Sequence, residues 1–327
     1  MPVKDTAKYL PDCLESIVKQ SNTNWELIAV NDNSQDASLD VLSSYAEKDA
    51  RIRVFDDAPP SLLPTLRYGF SKATGELIHR MDSDDIMPTD KLELMLNAWN
   101  QYEGNCVITG GTKHFADSGI VGDGFKRYDA WLCAVAKYNR HAEEMYRECV
   151  IPSNCWLVHR DDFDRIGGFN GDVFPEDYDL CFRFYKGGLK IIGLDCVLHY
   201  WRDRPDRISR NWECYKDNRF FELKVHYFYE LERERNRPLV LWGAGKNGKD
   251  LMKQIMNHEP PSAWVCDNEE KIGKDIYGII MEDYTRIRSL NNPQIIIAVA
   301  APQAQLEIKK VMDKINLQAG KHYWFFS

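Results

Sequence analysis

The chain has 327 residues, which leaves room for two domains. Its hydrophobic content of 44% and aromatic content of 12% suit packed cores and exclude a disordered chain. With 42 basic against 50 acidic residues the net charge is −8, which argues against a general binder of nucleic-acid phosphates. The cysteines form no Cys-x-x-Cys pair and sit singly in apolar runs, as Cys13, Cys106, Cys181 and Cys266 do. That pattern fits reduced, buried thiols of a cytosolic protein. No His or Cys spacing suits zinc, no signal peptide is visible, and no apolar run approaches a membrane span. A cytoplasmic location is expected, with peripheral contact at the inner face of the membrane left open.

Taken in order, residues 5 to 20 carry Leu10, Leu14, Ile17 and Val18 at helical spacing, and a strand is expected at 25 to 30. Asp36 to Lys48 reads as a helix, 52 to 55 as a strand, and Leu62 to Ala73 as a helix stopped near Gly75. A strand at 76 to 81 then delivers an acidic cluster, and Leu92, Met95, Leu96 and Trp99 mark the next helix. This alternation predicts an α/β fold with a mostly parallel sheet and helices on both faces. Ligands of such sheets bind at the carboxyl ends of strands, where Asp32 and Asp82 to Asp85 fall. Residues 111 to 150 read as irregular, then helical; 156 to 160 as a strand; 176 to 185 as a helix with acids in its first turn. Aromatics interleaved with Arg near 199 to 212 read as a surface helix or a groove for an acceptor. An aromatic helix at 213 to 235 reads as a linker. Two stripes on it, Phe221-Val225-Phe228 and Phe220-Leu223-Tyr227-Leu231, make a face wide enough for two contacts.

A second, smaller unit opens with Leu239 to Trp242 and the turn Gly243-Ala244-Gly245-Lys246-Asn247-Gly248. Glycines at this spacing permit a tight turn and close approach of a phosphate to a helix start. Asp267 ends the next expected strand. The expected organisation is residues 1–212, a helical linker at 213–237, and a Rossmann-like domain at 238–327.

Three segments carry the chemistry. The first is Ala29-Val30-Asn31-Asp32-Asn33-Ser34, a strand ending in a polar cluster. The second is Arg80-Met81-Asp82-Ser83-Asp84-Asp85, whose carboxylates suit a hard divalent ion that bridges phosphates. The third is Gly167-Gly168-Phe169-Asn170 with Pro175-Glu176-Asp177-Tyr178-Asp179-Leu180. In this order, with the opening Met1-Pro2-Val3-Lys4-Asp5 and the Gly69 to Glu76 run, they resemble the inverting glycosyltransferases of family 2. The resemblance covers about residues 1 to 210 and implies the GT-A fold. Relatives have several apolar residues before Pro-Val, so either the start lies upstream of Met1 or the first strand is short.

The resemblance also implies roles. Pro2, Asp32, Arg80 and Asp82 would contact the nucleotide. Asp84 with Asp82 would hold Mg²⁺ or Mn²⁺, Asp85 standing in as a further ligand. Asp177 would be the general base, with Glu176 orienting the acceptor or the base. Many relatives carry Tyr-Arg-x-His after this helix. Here the stretch is Trp201-Arg202-Asp203-Arg204, so Arg204 stands at the His position and His199 is the nearest substitute ligand. The implied donor is a nucleotide sugar, a UDP-sugar first among them, and the acceptor a glycan or lipid-linked hydroxyl in surface polysaccharide assembly. No Gln-x-x-Arg-Trp signature of processive synthases is present.

Two rival readings remain at this point. One is an NAD(P)-linked sugar-nucleotide oxidoreductase centred on Gly243, Gly245, Gly248 and Asp267. It is disfavoured because no Tyr-x-x-x-Lys pair accompanies the turn. The other is a catalytically silent glycan-binding module. A scaffold or homo-oligomer role suits the second unit better than dinucleotide turnover.

Overall fold

The computed structural model describes residues 1–102, 104–204 and 220–327. They form two compact units, Met1–His141 with Val150–Arg207, and Ala142–Cys149 with Ile208–Ser327. The expected boundary at 212 and the start of the expected linker helix lie outside the described residues. The described part of that helix is Phe221–Leu231, and it belongs to the second unit.

The first unit begins with β1 (Pro2–Val3), α1 (Leu10–Val18), β2 (Leu27–Asn31), α2 (Ser38–Ala46) and β3 (Ile52–Phe55). Pro11 suits the first turn of α1, where a missing N–H costs nothing. The three strands form a parallel sheet in the order β1-β2-β3. Every residue of β2 is buried, as in a strand covered on both faces. Leu10, Leu14 and Ile17 of α1 pack with Val3, Leu27, Ala29 and Leu42 in one core.

Next come α3 (Leu62–Lys72), β4 (Leu77–Ile78), α4 (Lys91–Tyr102), β5 (Cys106–Phe115), α5 (Asp123–Lys137), α6 (His141–Glu144, which from Ala142 on belongs to the second unit), β6 (Trp156–His159), α7 (Arg160–Arg165), α8 (Glu176–Lys186) and β7 (Lys190–Arg202). A second sheet has the order β4-β6-β5-β7. It corrects the expectation of a mostly parallel sheet: β6 runs antiparallel to β4 and β5, and β7 runs parallel to β5. Two strands were not expected. In β5 the pair Gly110-Gly111 reads as a break, and the structure uses it as an irregularity in the register with β7. The Arg and aromatic residues at 199 to 202 form the end of β7, not a surface helix.

The second unit has a six-stranded sheet, β10-β11-β9-β8-β12-β13, with β8 at Leu239–Trp242, β9 at Ala263–Cys266, β10 at Asp275–Ile276, β11 at Ile279–Asp283, β12 at Gln294–Ile297 and β13 at Tyr323–Phe325. Apart from the antiparallel β10–β11 hairpin all pairings are parallel. Counted along the chain, the parallel strands lie in the order 3-2-1-4-5, and the direction of winding reverses between β8 and β12, as in doubly wound folds. Tyr146 is fully buried in this unit and stacks on Phe326 with ring centroids 5.1 Å apart. Lys224 is buried beside them and donates to the carbonyls of Arg147 and Phe326 at 2.9 and 3.2 Å.

Candidate active site

The acidic segment leaves β4 and bends in a turn at Ser83 and Asp84, where the Asp85 N–H donates to the Asp82 carbonyl at 3.4 Å. Just beyond the turn Ile86 and Tyr200 of β7 exchange backbone hydrogen bonds of 3.1 and 2.9 Å, which holds its end against β7. Asp82 and Asp84 are half-buried on the open face of the segment, while Ser83 and Asp85 are buried. The turn thus leaves the two carboxylates of Asp-x-Asp more accessible than that of Asp85.

The inward acid is fully engaged. Asp85 accepts from Asn154 Nδ2 at 2.7 Å, His199 Nε2 at 2.9 Å and the Arg202 backbone N–H at 2.7 Å. His199 is wholly buried, and its Nδ1 lies 3.2 Å from Lys91 Nζ, which also donates to the Asn154 carbonyl at 2.8 Å. Burial lowers the Lys91 ammonium to about 8. With Lys91 donating to Nδ1, His199 carries its proton on Nε2 toward Asp85. Asp85 and His199, both expected as further metal ligands, are brought together inside the protein and brace the segment from behind. Lys91, Asn154 and their contacts were not foreseen; Lys91 reads in sequence as an ordinary first-turn residue of α4.

On the open face, Arg80 is buried and spans two acidic segments. Its Nε donates to Asp82 Oδ1 at 3.0 Å and its Nη1 to Glu176 Oε1 at 3.1 Å. Burial opposes its charge, but Asp82, Glu176 and Asp177 more than offset that and hold its pKa above the usual arginine range. Arg80 thus joins the Asp82–Asp84 acids to the start of α8. Asp82 also faces Ser153 and Asn154 at 3.5 and 3.4 Å. Asp84 Oδ2 accepts from Arg204 Nε at 2.8 Å. Burial, with Asp85 and Asp82 adding to it, raises the Asp84 carboxyl to about 6, although Arg204 pulls the other way. Arg202 is held by Asp12 at 2.9 Å, by the Asp84 carbonyl at 2.8 Å, by Asp117, and by the rings of Tyr9 and Phe115.

Asp177 stands in the first turn of α8, where the helix dipole favours an anion, and its Oδ1 accepts from the Tyr178 N–H at 2.8 Å. The next acid has another task. Asp179 pairs with Arg183 one turn on at 2.7 Å, and Arg183 donates to the carbonyls of Ile166 and Gly168 at 3.0 and 2.7 Å. That clamp fixes the Gly-Gly-Phe loop against α8. Gly167 lies at φ +89°, where a side chain would be strained.

Asp32 follows β2 and is buried. Its Oδ1 accepts from the Ser61 N–H at 2.8 Å, and Lys4 Nζ is 3.6 Å from Oδ2. Pro2 sits in β1, paired with Val30. A cavity of about 720 Å³ lies in this unit, lined by Met1, Ile28, Gly69, Phe70, Leu77 and Trp99 among others. Arg80 touches it, but none of the acids of the open face does.

In the second unit, the turn after β8 is tight: a Cβ on Gly248 would lie 2.0 Å from the Gly243 carbonyl oxygen. Beside it is a recess of about 400 Å³ lined by Gly245, Lys246, Lys249, Lys253, Lys271 and Tyr277. Asp267 follows β9 and is exposed.

No group of three or more His, Cys, Asp or Glu side chains among the described residues forms a ready metal cage. Asp82 and Asp84 nonetheless suit Mg²⁺ or Mn²⁺. Such ions commonly use one or two carboxylates and complete their shell with water and substrate phosphates. No helix among the described residues is long and apolar enough to cross a membrane.

Known proteins point the same way. The chain is 26% identical over 216 residues to glycosyltransferase GlyG of Streptococcus pneumoniae, covering 64% of this chain and 71% of that one. The aligned stretch spans only 31% and 35% of two other curated glycosyltransferases, GlyA and EpsH. Among solved structures, a Pyrobaculum calidifontis mannosyltransferase in complex with GDP-Man and Mn²⁺ superposes with a TM-score of 0.53 at 16% identity, over 70% of this chain and 61% of that one. Residues 1–349 of Staphylococcus aureus TarS, in complex with UDP-GlcNAc, give 0.52 at 17% identity, over 79% and 70%. These likenesses establish a GT-A fold. The family model of glycosyl transferase family 2 matches residues 1–167, more than half of the chain, and the protein belongs to that family.

Proposed function

We propose that this chain is an inverting, metal-dependent glycosyltransferase that moves a sugar from a nucleoside diphosphate donor to a hydroxyl of a glycan or lipid-linked acceptor in surface polysaccharide assembly. The observation that carries the reading is the Arg80 bridge. It ties Asp82 to Glu176, so the acids suited to a metal-bound diphosphate and the acid suited to act as base share one face.

In this reading Asp32 and Pro2 hold the nucleoside, and Asp82 and Asp84 hold Mg²⁺ or Mn²⁺. A bound divalent ion would offset charge on the departing diphosphate. Asp177 takes the proton of the acceptor hydroxyl as its oxygen bonds to the sugar C1. The bond from C1 to the diphosphate oxygen breaks on the opposite side, and the electron pair leaves with the nucleoside diphosphate. One displacement inverts C1. Glu176, anchored by Arg80, orients the acceptor beside Asp177. The neighbouring proteins with GDP-Man and with UDP-GlcNAc support a nucleotide-sugar donor, and the Mn²⁺ in one of them supports the metal.

The test is calorimetry with UDP and with GDP, each with and without Mn²⁺. Wild type is expected to bind one of them only with the metal. Asp84→Ala should lose that binding and keep its circular dichroism spectrum; unchanged binding would remove Asp84 from the metal site. The pH dependence has a defined sign. The Asp84 carboxyl is raised to about 6, so below that pH a proton occupies it and competes with the metal. Metal-dependent nucleotide binding should weaken as pH falls through 6, approaching tenfold per unit. A flat profile between pH 5 and 7 would contradict this.

For the second unit we propose a scaffold or homo-oligomer role without NAD turnover; no Tyr-x-x-x-Lys pair accompanies its glycine turn, and the apolar stripes of its aromatic helix are largely buried within the chain. Sedimentation of the full chain should then give an assembly, and calorimetry with NAD and NADP no tight binding. A monomer that binds a dinucleotide tightly would restore the oxidoreductase reading.

A further inference from the structure

Two arginines at the end of β7 lie two residues apart and are held very differently. Arg202 is fixed by Asp12, Asp117, the Asp84 carbonyl and two aromatic rings, and its own backbone N–H holds Asp85. It is structural masonry and cannot leave without opening the site. Arg204 is bonded through Nε to the carboxylate of Asp84 and lies over the ring of Tyr9, its centre 5.3 Å away. Its side chain is 16% exposed, on the open face. The carboxylate it holds is the one best suited to a divalent ion.

A guanidinium and a divalent ion on one carboxylate are like charges side by side, so each weakens the other's hold on Asp84. Resting on the reading of the site as a metal and diphosphate site, we propose that Arg204 is an internal counter-ion that exchanges with the metal. Without nucleotide it neutralises Asp84. When the metal arrives with the diphosphate, Arg204 gives up Asp84 and its guanidinium turns to the outermost phosphate. There its planar donors match phosphate geometry. The exchange keeps the charges on the open face paired: one cation leaves the carboxylate as another binds it, and the released cation meets the anion that came with the metal. Metal affinity is thereby low without nucleotide and higher with it, which makes Arg204 a phosphate-binding residue and a brake on metal binding alone.

The test uses full-length wild type, Arg204→Ala and Arg204→Lys with defined probes. The probes are Mn²⁺ alone, and UDP, UMP, GDP and GMP at saturating Mn²⁺. Paramagnetic resonance reads free Mn²⁺, and calorimetry reads the nucleotides. Removing a competing cation should tighten binding of Mn²⁺ alone in Arg204→Ala, by about tenfold. The same variant should bind the diphosphate that wild type prefers about tenfold more weakly, with its monophosphate unchanged. Arg204→Lys keeps the charge and guards against loss of folding; it should fall between wild type and Ala on both scales. Mn²⁺ binding that is unchanged or weaker in both variants overturns the proposal. So does a diphosphate-to-monophosphate preference equal to wild type. If wild type itself binds neither nucleotide with Mn²⁺, the functional reading of the site fails, and the variants are not needed to see it.

Discussion

Replacing Asp177 with Asn is expected to lower glycosyl transfer by about a hundred- to ten-thousand-fold, the usual cost of losing a general base. The amide keeps the size of the carboxylate, and its oxygen can still accept the Tyr178 N–H that Asp177 Oδ1 accepts at 2.8 Å. What it loses is the capacity to take a proton at neutral pH. Donor binding should be nearly unchanged, because the proposed nucleotide and metal contacts come from other residues. The measurement is transfer from a screened panel of UDP- and GDP-sugars to acceptor, alongside calorimetry with the nucleotide. Near wild-type turnover in Asp177→Asn would assign the base to another group.

Arg80→Met should have the second large effect, on stability and binding together. Methionine fills a similar volume, but it leaves Asp82 and Glu176 without the cation that sits 3.0 and 3.1 Å from them. Breaking a buried ion pair by removing one partner costs about 3–5 kcal/mol. For a domain of this size that corresponds to a fall in Tm on the order of 10 °C. Two unneutralised carboxylates would also repel an incoming diphosphate, so metal-dependent nucleotide binding should weaken. Thermal unfolding followed by circular dichroism reads the first effect. A melting temperature within a degree or two of wild type would show that Asp82 and Glu176 find other partners.

Much of the first unit was legible because its strands and helices alternate with clear apolar periods and the acids fall at strand ends. The Asp82-Ser83-Asp84-Asp85 run illustrates both the reach of such reading and where it stops. The pattern marks carboxylates with the right chemistry, but not the turn at Ser83 and Asp84 that separates the half-buried Asp82 and Asp84 from the buried Asp85. Nothing local says where that turn ends, because the partner that holds Ile86 beyond it is Tyr200, far along the chain. For the same reason the pairing of Asp85 with His199 does not show in the sequence. Lys91 was invisible as an interior cation, since lysine in a first helical turn is ordinarily solvated. β5 and β7 were missed because glycines at 110, 111 and 193 interrupt their apolar pattern. The structure uses Gly193 as a close approach, where a Cβ would come within 2.3 Å of the Ala136 carbonyl oxygen.

The fastening of Arg202 bears on how this protein is made. One side chain and its backbone N–H hold Asp12, Asp84 and Asp85, and the bond to Asp12 joins residues 190 positions apart. A ribosome delivering roughly 5–20 residues per second releases Asp12 some ten to forty seconds before Arg202. During that interval β1, β2 and β3 can pair, since their contacts are comparatively local. The acidic segment has no such option: its brace is the last strand of the unit. The β1-β2-β3 sheet can therefore form while the acidic segment still waits for residue 202 to clear the exit tunnel. The brace of that segment is a late arrival in synthesis, and a chain truncated before residue 202 would lack it.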